Sequence, residues 1–258
     1  EYTDIIKKAK AERWIDFYPH VGKRAGAYSS GCYDTNPYIL MNFIGDYQSL
    51  STMIHELGHS CHTYLSNHYQ PPQTNSYRIF VAEVASTVNE MLLIQHLLAN
   101  TQDKQEKANL LYDLLENCVG LIFRQPMFAD FEYKLHQMAE HDQPMSSQII
   151  TDLYQQLNQE YFGPDVVLDD LTRYSCYHVP HFYYNYYVYK YTLGMCCALA
   201  ITARITKHDT QQIECYLQFL KSGGSKPPIE LLKTANVDPL SDQLYDDAFH
   251  YFEDLLNE

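Results

Sequence analysis

Ser51-Thr52-Met53-Ile54-His55-Glu56-Leu57-Gly58-His59-Ser60-Cys61-His62 is the run from which the fold can be read outward. It holds the pattern His-Glu-x-x-His, which on a helix projects two imidazoles, four residues apart, from one face toward one ion. Leu50, Ile54, Leu57, Cys61 and Leu65 recur at helical spacing and form the expected buried stripe of another face. Ser49 or Ser51 is the candidate cap. Gly58 costs about 1 kcal/mol relative to alanine in a helix interior, so its presence predicts that another chain segment passes close to it.

His-Glu-x-x-His can arise by coincidence, and a catalytic zinc site wants three protein ligands with a fourth position open. The next helical run, Phe80-Val81-Ala82-Glu83-Val84-Ala85-Ser86-Thr87-Val88-Asn89-Glu90, supplies a third candidate. Val81, Val84, Ala85, Val88 and Leu92 make its apolar side, while Glu83, Ser86, Thr87 and Glu90 share the other. A carboxylate on such a helix is more often solvated or a cap, but the pairing of two helices favours Glu83 as a ligand. His55, His59 and Glu83 are therefore the expected ligands of one Zn2+ per chain, with Glu56 as proton acceptor for the attacking water. His62 and Glu90 are candidates for orienting the ligands from behind, with polar packing as the alternative.

Outward from these helices the chain reads as mainly α. Ile5, Ile6, Ala9 and Arg13 to Ile15 suggest an opening helix that ends before Tyr18-Pro19. Ala25 to Gly31 and Tyr38 to Phe43 are β-prone runs around the turn-rich Asp34-Thr35-Asn36-Pro37, giving a small hairpin or sheet near the N-terminus. Helical periodicity then runs from Ser49, with breaks at 70–76, 142–144, 162–164 and 222–228, and Lys221 to Pro228 reads as a mobile surface loop. Residues 1–258 read as a single catalytic domain. Glu1 stands where Met would begin a complete chain, so a fragment or processed product is expected.

Composition narrows the class. The 258 residues are 46% hydrophobic, enough for a sizeable core, and the net charge of −14 leaves no footprint for nucleic acid or an anionic membrane. The apolar run Leu193 to Ile201 is far short of the ~20 residues that span a bilayer. Seven cysteines without CxxC spacing read as reduced thiols and a cytoplasmic setting.

A second cluster, Tyr177-His178-Val179-Pro180-His181-Phe182-Tyr183-Tyr184-Asn185-Tyr186-Tyr187-Val188-Tyr189-Lys190-Tyr191, is dense in tyrosine. Tyr183 and Tyr187 share a helix face if a helix begins near Pro180. The plain alternative is an aromatic core helix.

Gly22 to Ser29, Asn36 to Asn42, His55 to Ser60, Val81 to Thr87 and Pro180 to Tyr183 together resemble oligoendopeptidase F, within the thimet oligopeptidase family of zinc metallopeptidases. The resemblance runs along nearly the whole chain, on to Leu220-Lys221-Ser222-Gly223-Gly224 and the closing helix. It implies a helical zincin-type catalytic domain and hydrolysis of internal bonds of short peptides by metal-activated water. It also implies Glu83 as third ligand, and a histidine and tyrosines from the second cluster acting on the scissile carbonyl and substrate backbone. The spacing of His178, Tyr183 and Tyr187 suits that role, and His181 lies in the segment of closest likeness, so both histidines are candidates. The resemblance also implies a long helical N-terminal region, which is expected to lie outside these 258 residues. A zinc exopeptidase and a zinc-stabilised binding module are the alternatives.

Overall fold

The computed structural model describes residues 1–257. The opening helix α1 is Tyr2–Ala11. It stops earlier than its apolar spacing suggests, because Arg13 takes a left-handed φ of 56° and the backbone N–H groups of Arg13 and Trp14 return to the carbonyls of Lys10 and Ala9. This is the Schellman ending usually built on glycine. Trp14 is thereby turned inward, 1% exposed. Residues 13–15 are accordingly not helical; Ile15–Asp16 is a strand, β1.

Two further strands, β2 (Tyr28–Ser30) and β3 (Tyr38–Leu40), fall inside the β-prone runs. The sheet order is β1-β3-β2, with β1 parallel and β2 antiparallel to β3. Ile39 pairs with Ser29 but gives its own N–H to Trp14, so the N–H and C=O of Ser29 point away from β3, to the free edge.

The helices that follow are α2 (Tyr47–Tyr69), α3 (Ile79–Asn100), α4 (Lys104–Cys118), α5 (Gln125–Glu140), α6 (Ser147–Phe162), α7 (Tyr189–Ile205), α8 (Thr210–Lys221), α9 (Pro228–Thr234) and α10 (Asp242–Leu256). The mainly α reading with a small N-terminal sheet is borne out. The cap of α2 is neither Ser49 nor Ser51 but Asp46, whose carboxylate accepts the Ser49 N–H at 2.8 Å. The Ser49 hydroxyl first, and then that backbone hydrogen bond, hold the Asp46 pKa below its ordinary value.

The chain forms two compact units, one of Glu1–Leu114 with the chain from Gly194 onward, the other of Leu115–Leu193. In the first, α2 packs chiefly against α3. Gly58 is where they meet, since a Cβ there would lie 2.7 Å from the Ser86 Cα and 2.8 Å from the Ala85 carbonyl oxygen. Both neighbours are backbone, so one helix would have to move. Gly58→Ala is expected to cost about 1–3 kcal/mol by overpacking and to weaken metal binding by shifting α3. Thermal unfolding and metal titration check both, and unchanged values would show that the helices have slack.

The 221–228 segment also departs from its reading as a mobile surface loop. Ser222 and Gly223 are buried, and the Gly224 N–H donates to the Thr74 carbonyl at 2.8 Å. Side chains at Gly223 and Gly224 would collide with the backbone of Thr74 and Ser76, so the glycine pair permits this close docking.

The second unit holds its own core of Met127, Phe131, Tyr154, Leu157 and Cys176. The α4 pattern passes into a wider π-helical turn, Val119–Arg124, before α5. The tyrosine-rich segment is not one helix. It has two short 3-10 turns, Thr172–His178 and Pro180–Tyr183, and α7 starts only at Tyr189.

Candidate metal centre

His55 and His59 leave α2 one turn apart, and Glu83 reaches toward them from α3. The two Nε2 atoms lie 3.1 Å apart, and the Glu83 Oε2 is 3.6 Å from one and 3.8 Å from the other. Near-tetrahedral bonds of about 2.0–2.2 Å to a single ion place ligand atoms roughly 3.3–3.6 Å apart, so the three donors fit one small cation. They are the cluster of potential metal ligands found among the described residues.

Electrostatics point the same way. His55 Nδ1 is hydrogen-bonded to the Glu90 carboxylate. With Nδ1 as the donor, the Nε2 lone pair of His55 faces Nε2 of His59, a contact that needs a proton or a cation between the two. Burial pulls the His55 pKa down, but Glu90, then Glu83 and Glu56, carry it above its ordinary value. Burial and the neighbouring His55 push His59 down to about 3, leaving it neutral and free to donate a lone pair. Glu83 is raised first by burial, with His55 and the Ser86 hydroxyl acting against it. Three carboxylates around two imidazoles make a site whose charge a divalent cation would balance.

Glu90 thus takes the orienting part for which His62 was the other candidate. Removing such an outer partner typically costs 10–100-fold in metal affinity. Glu90→Ala is expected to fall in that range in a competition titration against a chromophoric chelator, and unchanged affinity would refute it. His62 is instead 1% exposed and stacked flat on Tyr77 at 3.6 Å, with neither ring nitrogen hydrogen-bonded. Burial, then His59, pushes its pKa down to about 3, so it packs as a neutral aromatic.

Glu56, between the two histidines, is 6% exposed, and its Oε2 has no hydrogen-bond partner. Burial first, then Glu83 and Glu90, raise its pKa, while His55 and the Ser29 backbone pull it back. The free edge of β2 is therefore beside this carboxylate, and the Ser29 and Ser60 hydroxyls, 2.8 Å apart, pin that strand to α2. Gly194 contributes in a way the sequence did not disclose: a Cβ there would lie 3.4 Å from that of Glu83, so α7 passes directly beside this carboxylate.

The chain's likeness to known proteins agrees with this geometry. The model of peptidase family M3 matches residues 2–251. This chain is a member of peptidase family M3. It is 44% identical over its whole length to oligopeptidase PepF of Bacillus subtilis (strain 168), covering 38% of that protein. Against the plasmid oligoendopeptidase F of Lactococcus lactis subsp. cremoris it is 38% identical, covering 100% of this chain and 43% of the relative. Among solved structures, oligoendopeptidase-F from Enterococcus faecium superposes with a TM-score of 0.72 at 38% identity, over 81% of this chain and 38% of that one. A crystal structure of a Chlamydophila abortus protein gives 0.91 at 40% identity, over 99% of this chain and 43% of the other. The M3 chain described here spans about two fifths of the length of the curated relatives it matches.

The remaining candidates lie in the second unit. His181 stacks on Tyr187 with centroids 5.4 Å apart and planes 16° from parallel, and its Nε2 is 3.3 Å from the Tyr191 hydroxyl. His178 lines a separate cavity with Phe128, Tyr154 and Ser175. Tyr183 ends the second 3-10 turn and is 76% exposed. The shared helix face expected for Tyr183 and Tyr187 is absent, because Tyr186 between them takes a left-handed φ of 50°. The structure thus groups His181 with Tyr187 and leaves His178 and Tyr183 apart from that pair.

Proposed function

We propose that this chain carries the catalytic machinery of a zinc endopeptidase acting on internal bonds of short peptides. The observation that carries the reading is the convergence of His55, His59 and Glu83 beside a buried carboxylate, Glu56, that is not one of the three. A zinc ion held there supplies Lewis acidity toward the scissile carbonyl and lowers the pKa of water. His55 and His59 would hold it through Nε2 and Glu83 through its carboxylate, with Glu90 keeping the His55 ring in the required tautomer. Glu56 takes a proton from the attacking water on its unpartnered oxygen and returns it to the leaving amine.

The free edge of β2 suits an extended peptide, which would add as another strand on the Ser29 C=O and on the Ser29 N–H, the latter turning from Glu56 to the peptide carbonyl. Such backbone pairing is independent of side-chain sequence and supports broad specificity. The roles of His178, His181, Tyr183 and Tyr187 toward substrate come from the family resemblance, and zinc from that resemblance together with the two-histidine, one-carboxylate donor set. The reading of residues 1–258 as a single catalytic domain belongs to the same proposal. So does a cytoplasmic setting, supported by seven free thiols. Among the described residues no helix is long and apolar enough to cross a membrane.

The test is a quenched fluorescent peptide blocked at both ends. Cleavage that a chelator stops and added zinc restores supports the endopeptidase. Cleavage of free-ended peptides alone indicates an exopeptidase, and metal binding without any cleavage indicates a binding module.

A further inference from the structure

Helix α5 carries Met127 and Phe131 in the core of the second unit, and helical spacing from Phe128 sets an acidic residue, Glu132, among them. Glu132 is only 4% exposed. Its Oε1 accepts the backbone N–H of Tyr186 at 2.5 Å, while Oε2 has no hydrogen-bond partner. Buried polar groups are ordinarily satisfied, and a lone buried carboxylate is kept only where something needs it.

What needs it here is the backbone at Tyr186. The φ of 50° is left-handed, a conformation that glycine adopts freely and a tyrosine does not. The hydrogen bond from this N–H to a buried carboxyl oxygen holds the residue in a conformation it disfavours. One turn along the same helix, His136 stacks on the Tyr186 ring with centroids 4.7 Å apart. Two residues on one face of α5 thus grip the backbone and the ring of Tyr186. The next residue is Tyr187, stacked on His181, and then Val188, 1% exposed, which enters the core before α7 begins.

We propose that Glu132 is a positioning residue: by pinning the left-handed turn at Tyr186, it sets where the Tyr187–His181 pair stands. Its effect on turnover rests on the reading that this pair serves a peptidase. Glu132 itself touches neither ring and need not touch substrate. Glutamine at this position keeps a neutral acceptor, whereas alanine removes it.

The test compares Glu132→Ala and Glu132→Gln in the zinc-loaded protein. It measures exchange of the Tyr186 amide, kcat and KM on the blocked peptide, metal content and thermal unfolding. In Glu132→Ala we expect amide exchange to speed by about 10-fold or more and kcat to fall by about 10–100-fold, the scale on which a displaced group is felt. Metal content and KM should change little, and Glu132→Gln should recover most of both losses. Wild-type exchange or wild-type kcat in a folded Glu132→Ala overturns the proposal while leaving chelator-sensitive cleavage, and hence the peptidase reading, in place. If the wild-type protein shows no chelator-sensitive cleavage, the peptidase reading falls and amide exchange alone decides the pinning. Should Glu132→Ala fail to fold, Glu132→Asp, which draws the acceptor back by one methylene, decides: coupled several-fold losses in protection and kcat support positioning, and wild-type values for both overturn it.

Discussion

Replacing Glu56 with glutamine is expected to leave the metal in place and to lower kcat by about 10²–10⁴-fold, the usual worth of general acid–base catalysis. Glutamine matches glutamate in size and would fill the same buried position, so the crossing of α2 and α3 should survive. What it cannot do is take a proton. Glu56 suits that task because burial and two nearby carboxylates raise its pKa above its ordinary value, and a carboxylate so raised is a better base. Its Oε2 is also uncommitted, so no internal hydrogen bond must break before a proton is taken. Metal analysis and steady-state kinetics on the blocked peptide check the expectation. Retention of a tenth or more of wild-type kcat would remove Glu56 from the role of base, and loss of the metal would recast it as a ligand.

The candidate metal site, three side chains brought together by two helices, was legible because its information is local. His55 and His59 sit on one helix at a spacing that fixes their relation. Gly58, an expensive residue in a helix interior, signalled the close crossing of a second helix before that helix could be placed. Glu83 followed from the polar side of the next helix. The face of α3 that bears it also bears Glu90, which is why both reach His55.

What escaped the sequence depends on backbone conformations that residue type disfavours. Arg13 ends α1 in a geometry normally signalled by glycine, so the helix looked two to four residues longer than it is. Tyr186 does the same inside a run of aromatics whose spacing suits a helix, so Tyr183 and Tyr187 were placed on one face. In both cases a partner distant in sequence or a buried side chain compensates: Trp14 packs inward at the first, and Glu132 binds the backbone at the second. Propensity is overridden where tertiary contacts outweigh it. The clue to the second case was available, since Glu132 lies on the apolar spacing of α5, but its meaning required the partner.

Replacing Glu83 with alanine is expected to remove metal binding and turnover together while leaving the metal-free fold as stable as before, or more so. With only His55 and His59 remaining, the site has two donors where a catalytic zinc takes three, and affinity should fall by more than the roughly 100-fold that marks loss of an outer partner. Stability moves differently. Burial raises the Glu83 pKa against the pull of His55, so folding disfavours its ionised form. A carboxyl whose pKa rises on folding costs stability at pH values above its ordinary range, and neutral pH lies there. Alanine removes that cost and relieves the crowding with Glu90 and Glu56. A ligand therefore shows a signature that a structural carboxylate does not. Zinc should raise the Tm of the wild-type protein, because it binds the folded state alone, and should leave Glu83→Ala unmoved. The metal-free Tm of the variant should equal or exceed that of the metal-free wild type. A variant that melts earlier without metal, yet still gains Tm from zinc, would make Glu83 a structural group and leave the third ligand to be sought elsewhere.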